Sequence, residues 1–174
     1  MAPAPGVSAS SLANQIRESA ISHIVSVPDY VQISLHQELE AGPAPKTIYT
    51  TSENEALEVA AGLHIGGMTP LAIMQNQGLY NSMNALRALG LDARLPLPLL
   101  VGQFGREFDN VGADPAHSER ALVRNTERLI DALDLPCLRI ENDADVANLG
   151  RAISLARERR CAVVALVGAH TTWE

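Results

Sequence analysis

Six short apolar stretches alternate with segments of helical periodicity, and this alternation constrains the fold more than any other feature of the chain. The stretches are residues 22–27 (SHIVSV), 46–50 (KTIYT), 70–75 (PLAIMQ), 97–101 (LPLLV), 138–141 (LRIE) and 161–167 (CAVVALV). Leu12, Ile16 and Ala20 repeat at helical spacing, as do Val31, Leu35 and Leu39, and Met83, Leu86 and Leu89 on a helix expected over 78–90. Further helices are expected over 118–133 and 143–159. The connections are too long for hairpins, and 97–101 and 161–167 are apolar without alternation, the pattern of strands buried on both faces. The expected fold is therefore α/β and three-layered, a six-stranded, mainly parallel sheet with helices on both faces. Ligands of such sheets sit at the carboxyl ends of the strands. Those ends are residues 27–29, 50–53, 75–78, the glycine-rich stretch 102–117, read as a long surface loop, and 168–170. Residues 1–10 read as a flexible tail and 11–174 as one domain.

Composition narrows the function classes. A net charge of -7 argues against nonspecific binding to nucleic acid or an anionic membrane surface. No apolar run approaches transmembrane length, and the first residues lack the form of a secretory signal, so a cytoplasmic location is expected. Cys137 and Cys161 open apolar runs and read as reduced, buried thiols. Dinucleotide and P-loop glycine motifs, zinc-ligand spacing and a nucleophile elbow are all missing from the sequence.

One helix carries unusual chemistry at its start. Over 51–67, Ser52 can cap, Glu53, Glu55 and Glu58 crowd the positive end of the helix dipole, and Gly66 and Gly67 close the far end. Ala56, Val59, Ala60, Ala61 and Leu63 form a face that another surface can approach closely. The three acids read either as a solvated, dipole-matched helix start or as containing one carboxyl that a partner surface desolvates and tunes for proton transfer.

Four motifs in order then resemble a known family. Glu53 stands nine positions before Gly62, as the glutamate does in the pyrimidine-binding domain of thiamine-diphosphate-dependent decarboxylases. Ser26-Val27-Pro28-Asp29 resembles that family's Gly-Val-Pro-Asp turn. Residues 74–84 resemble the Met-Gln-Asn-Ser-Gly-Leu-Gly-Asn segment of phosphonopyruvate and sulfopyruvate decarboxylases. Gly105-Arg106 with Asp114-Pro115-Ala116-His117 resembles their Arg-Gly-Glu loop and its Asp-Glu-Pro-Gln-His end. The likeness spans roughly residues 15–168 and is greatest to the separate α subunit of the sulfopyruvate enzymes.

The resemblance implies a half-enzyme. The diphosphate-binding motif that holds Mg2+ is absent, so thiamine diphosphate and Mg2+ are expected mainly on a β subunit, with no metal ligands on this chain. Assembly is expected as a heterotetramer or larger complex with self-association, and the substrate as a small anionic 2-oxo acid. Glu53 would activate the cofactor's pyrimidine ring, and Ala56, Ala60 and Ala61 would line a seam with the other chain. His117 and Asp29 are the other catalytic candidates. Pro28, Asn76 and Gln77 would contact cofactor, and Asp29, Asn76, Tyr80, Arg106 and His117 substrate. Gln77-Gly78-Leu79-Tyr80 departs from Ser-Gly-Leu-Gly, and Asn84-Ala85 from an Asn-Pro step, where the substrate's tail would lie. The rival readings are a carboligase subunit of the same cofactor class and a noncatalytic regulatory or assembly module.

Overall fold

A computed structural model describes residues 6–173. The elements run β1 (Gly6–Ser8), α1 (Ala9–Glu18), β2 (His23–Ser26), α2 (Ile33–Ala41), β3 (Lys46–Tyr49), α3 (Glu53–Ile65), β4 (Pro70–Gln75), α4 (Asn76–Asn81) and α5 (Met83–Ala85). A π-helical segment, Leu86–Asp92, follows. The chain then continues through β5 (Leu97–Gly102), α6 (Ala121–Ala132), β6 (Cys137–Ile140), α7 (Ala147–Arg159), β7 (Ala162–Val167) and β8 (His170–Thr172).

The main sheet is six-stranded and parallel throughout, in the order β3-β2-β4-β5-β7-β6. Its two faces are made by strict alternation along the strands. Ile24, Leu71, Ile73, Leu100, Val163 and Ala165 pack under α1, α2 and α7, through Leu12, Ile16, Leu35, Leu149 and Ile153. Val25, Ala72, Met74, Leu99, Val164 and Leu166 pack under α3, the α4 region and α6. Each fully buried aliphatic side chain stabilises the fold by about 1.5–3 kcal/mol, so the helix-covered centre of the sheet dominates stability. The chain reverses its direction across the sheet between β2 and β4, and again between β5 and β7. Crevices open at such switch points.

The structure corrects several expectations. The tail expected over 1–10 lies outside the described residues at 1–5, but Gly6–Ser8 form a strand and the first helix begins at Ala9, with the Ser8 hydroxyl accepting from the Ser11 N–H. β1 pairs in parallel with β8, a second sheet that three-residue strands without periodicity do not announce. The single helix expected over 78–90 is broken: α4 starts at Asn76, and Leu86–Asp92 is underwound into π geometry. Ala56, Ala60 and Ala61 do not line an open seam. They are buried against Val25, Ala72 and Met74 of the chain's own sheet, because small residues let α3 lie close to β2 and β4. The outward residues of α3 are Asn54, Glu55, Glu58, Gly62 and Ile65. Cys137 and Cys161 are free but only half-buried.

Candidate active site at the carboxyl rim

The first switch point is held together by Asp29, just beyond β2. The Gln32 N–H donates to its Oδ1 (2.8 Å) and the Gln32 amide to its Oδ2 (2.6 Å), while the same amide reaches the Met74 carbonyl of β4 (3.4 Å). Oδ2 also abuts bare backbone of β5, since a Cβ built on Gly102 would fall 3.0 Å from it. Asp29 is only 5% exposed, and burial pushes its carboxyl above the ordinary value, with Gln32 and the nearby His36 pulling the other way. His36 is buried too, and burial lowers its imidazole against the attraction of Asp29 and Glu40. Pro28 is exposed beside this cluster.

At the end of β4, Asn76 is fully buried at the first position of α4. Its Nδ2 donates to the Phe104 carbonyl (3.3 Å) and Thr126 Oγ1 (3.5 Å), leaving Oδ1 buried with no partner among the described residues. Gln77 is exposed. Tyr80 donates its hydroxyl to the Leu122 carbonyl of α6 (2.9 Å), and burial raises its pKa from the ordinary 10.0. α4 is thus tied to α6 through both Asn76 and Tyr80.

The three acids of α3 separate cleanly. Glu55 is part of the cap: its N–H donates to Ser52 Oγ (3.3 Å), and its Oε2 accepts from the Thr51 N–H (2.9 Å) and hydroxyl (2.8 Å). Those bonds lower its pKa, the Thr51 backbone bond most. Glu58 points to solvent. Glu53 is half-buried, with its Cγ, Cδ and Oε1 resting on Gly78 of α4, and its carboxylate has no hydrogen bond or ion pair among the described residues.

Arg106 is not free for an anion, as the sequence suggested. Its guanidinium is buried and every N–H is donated within the chain. Nε bonds Asn110 Oδ1 (3.0 Å), Nη1 bonds Gln103 Oε1 (2.8 Å) and Glu141, and Nη2 bonds the carbonyls of Asn110 (3.0 Å) and Ala113 (2.9 Å). The Gly112 N–H donates to the second oxygen of Glu141 (2.8 Å). Residues 102–117 are therefore pinned around one cation, with short 3-10 turns at Phe108–Asn110 and Pro115–His117, rather than forming a loose loop. His117 is exposed, beside a shallow cleft also lined by Glu107, Asp109, Asn110 and Glu119.

The structure thus brings Asp29, Asn76 and the start of the 102–117 loop together, with Glu53 and Tyr80 attached through α4. No direct contact joins His117 to that group among the described residues. Sequence alone singles out neither Gln32 nor Glu141: a glutamine three positions after an acid carries no signature, and Glu141 is 35 positions from the Arg106 it pairs with. Among the described residues no cluster of three or more His, Cys, Asp or Glu is arranged to hold a metal ion, and no helix is long and apolar enough to cross a membrane.

An all-parallel six-stranded α/β domain of this topology, with its polar groups at the carboxyl rim, is the pyrimidine-binding domain fold of thiamine-diphosphate enzymes. The chain is 31% identical over 121 residues to the sulfopyruvate decarboxylase α subunit of Methanothermobacter thermautotrophicus, covering 70% of each chain. It is 26% identical over 161 residues to the α subunit from Methanocaldococcus jannaschii, covering 92% of each. It is also 31% identical over 125 residues to the phosphonopyruvate decarboxylase of Streptomyces viridochromogenes, covering 72% of this chain and 30% of that enzyme. No protein-family model matches the chain. The chain belongs to the family of sulfopyruvate decarboxylase α subunits.

Proposed function

We propose that this chain is the α subunit of a heteromeric thiamine-diphosphate-dependent decarboxylase acting on a small anionic 2-oxo acid of the sulfopyruvate or phosphonopyruvate type, completed by a diphosphate-binding β subunit. The observation that carries this reading is Glu53. Alone among the three acids of α3 it is half-buried and unpartnered, facing α4 rather than solvent or its own cap. The residues fit the pyrimidine end of the cofactor. Glu53 offers an uncommitted carboxylate, and Asn76 Oδ1 is a buried acceptor in need of a donor. When bound, the cofactor supplies the electron sink for loss of carbon dioxide. This chain's residues bind and orient the ring, and Glu53 holds or moves the proton at the ring nitrogen. Asp29, held by Gln32, lies at the same rim, and burial raises its carboxyl pKa above the ordinary value.

With Arg106 committed to its loop, Arg120 is the better partner for an anionic tail. Its stem lies against Gly105, and its guanidinium has no hydrogen bond or ion pair among the described residues. Replacing Arg120 by Ala is expected to raise KM several-fold for a sulfonate- or phosphonate-bearing 2-oxo acid and to leave KM for pyruvate unchanged. No observation favours the carboligase or scaffold readings.

Coexpression with a diphosphate-binding subunit, Mg2+ and cofactor tests the proposal, with carbon dioxide release measured on sulfopyruvate, phosphonopyruvate and pyruvate. The complex is expected to turn over at least one of these, the chain alone none. Glu53→Gln should lower kcat by about 10²–10⁴-fold, the range for a positioned acid–base group. Wild-type turnover in that variant would sink the assignment of Glu53.

A further inference from the structure

The seat of Glu53 is a glycine that its own backbone does not require. Gly78 lies inside α4, is buried, and has none of the positive φ that demands glycine. Glycine at such a helical position is unfavourable relative to alanine. Its reason is found in the neighbouring helix. A methyl group at 78 would fall 2.5 Å from Glu53 Cδ, and closer still to Cγ and Oε1.

Neither helix can retreat. α3 is fixed to the sheet by the buried Ala56, Leu57 and Ala60, and α4 is fixed by buried Leu79 and by the Asn76 and Tyr80 bonds to its surroundings. The only mobile party is the glutamate arm, so a collision at 78 is relieved by turning the Glu53 carboxylate away. We propose that Gly78 is a positioning residue, whose missing side chain is the surface on which Glu53 rests and from which its carboxylate is aimed at the cofactor ring. The inference rests on the reading of Glu53 given above. It adds a second position that controls the same proton and predicts an uncommon separation: a substitution neutral for folding and damaging for chemistry.

The test uses the assembled complex and the isolated chain together. The Gly78→Ala chain alone is expected to melt at or above the wild-type temperature. Its complex with the diphosphate-binding subunit is expected to lose about a hundredfold in kcat, the scale of a misplacement near 1 Å, and to bind cofactor more weakly by calorimetric titration. Glu53→Ala, which removes Cγ and the carboxyl, should lose turnover and weaken cofactor binding, and adding Gly78→Ala to it should weaken binding no further, because no arm is left for the new methyl group to displace. A purely structural role for Gly78 would add its own loss. Wild-type kcat in the Gly78→Ala complex, with Glu53→Gln inactive, would overturn the proposal while leaving the role of Glu53 intact. A crystal structure of the isolated Gly78→Ala chain with the Glu53 carboxylate in its original place would overturn it whatever the activity.

Discussion

Asp29 and Glu53 reach the same rim in opposite states of satisfaction. Asp29 is buried and hydrogen-bonded, with its pKa raised chiefly by burial above the ordinary 3.8. The folded chain therefore holds that proton more tightly than the unfolded chain, and the associated stability is present below pH 3.8 and lost as pH rises through the shifted value. Asp29→Asn, which cannot ionise, is expected to be more stable than wild type at pH 7, and the difference in urea midpoint should vanish below about pH 4. The lost bond can be replaced, since Gln32 Oε1 is buried without a partner and can accept from the new amide. His36 has the opposite sign: its lowered pKa makes stability fall as pH drops below 6.5. At this scale the sequence was partly legible. The resemblance to the family's glutamate-to-glycine spacing pointed to Glu53, and the cap contacts of Glu55 set that neighbouring acid apart from it. Arg106 looked like a substrate cation because the sequence does not reveal that Gln103, Asn110, Ala113 and Glu141 together use all its donors.

At the scale of elements, two glycines make opposite predictions. Gly90, in the π-helical segment, faces Ala162 at the start of β7, and a methyl group there would lie 2.6 Å from the Ala162 Cβ and 3.2 Å from its backbone nitrogen. Those atoms are fixed in the sheet. Gly90→Ala is therefore expected to destabilise by about 1–3 kcal/mol through overpacking, read as a lower urea midpoint at unchanged slope. The three atoms nearest a methyl group at Gly78 all belong to the Glu53 side chain, which can turn away, so Gly78→Ala should not. The 102–117 loop depends on its buried ion pair. Glu141→Ala would leave the Arg106 guanidinium buried without its counter-ion, at a cost of about 3–5 kcal/mol. Faster protease cleavage within 103–113 would mark the released loop. The six strands of the main sheet were legible because each is an apolar run bounded by turn residues. β1 and β8 were not, since GVS and HTT carry no period and gain their order from each other and from Thr171 bonding to Val31.

For the whole molecule, the heteromeric reading predicts that activity and cofactor binding appear only on mixing with a diphosphate-binding subunit. A chain that turned over 2-oxo acids alone would contradict it. The parallel sheet has a further consequence, for how the chain acquires its structure. With no hairpin in it, no ladder can form from neighbours in sequence, and each needs a whole crossover to close first. Such topologies fold slowly and leave strand edges unpaired meanwhile. The two edges of the finished sheet, β3 and β6, each carry an exposed cation, Lys46 and Arg139, and Lys46 is the sole lysine in the sequence. Charge on an edge resists strand addition by another chain. Refolding of Lys46→Ile from urea should therefore scatter more light with rising concentration than refolding of the wild type.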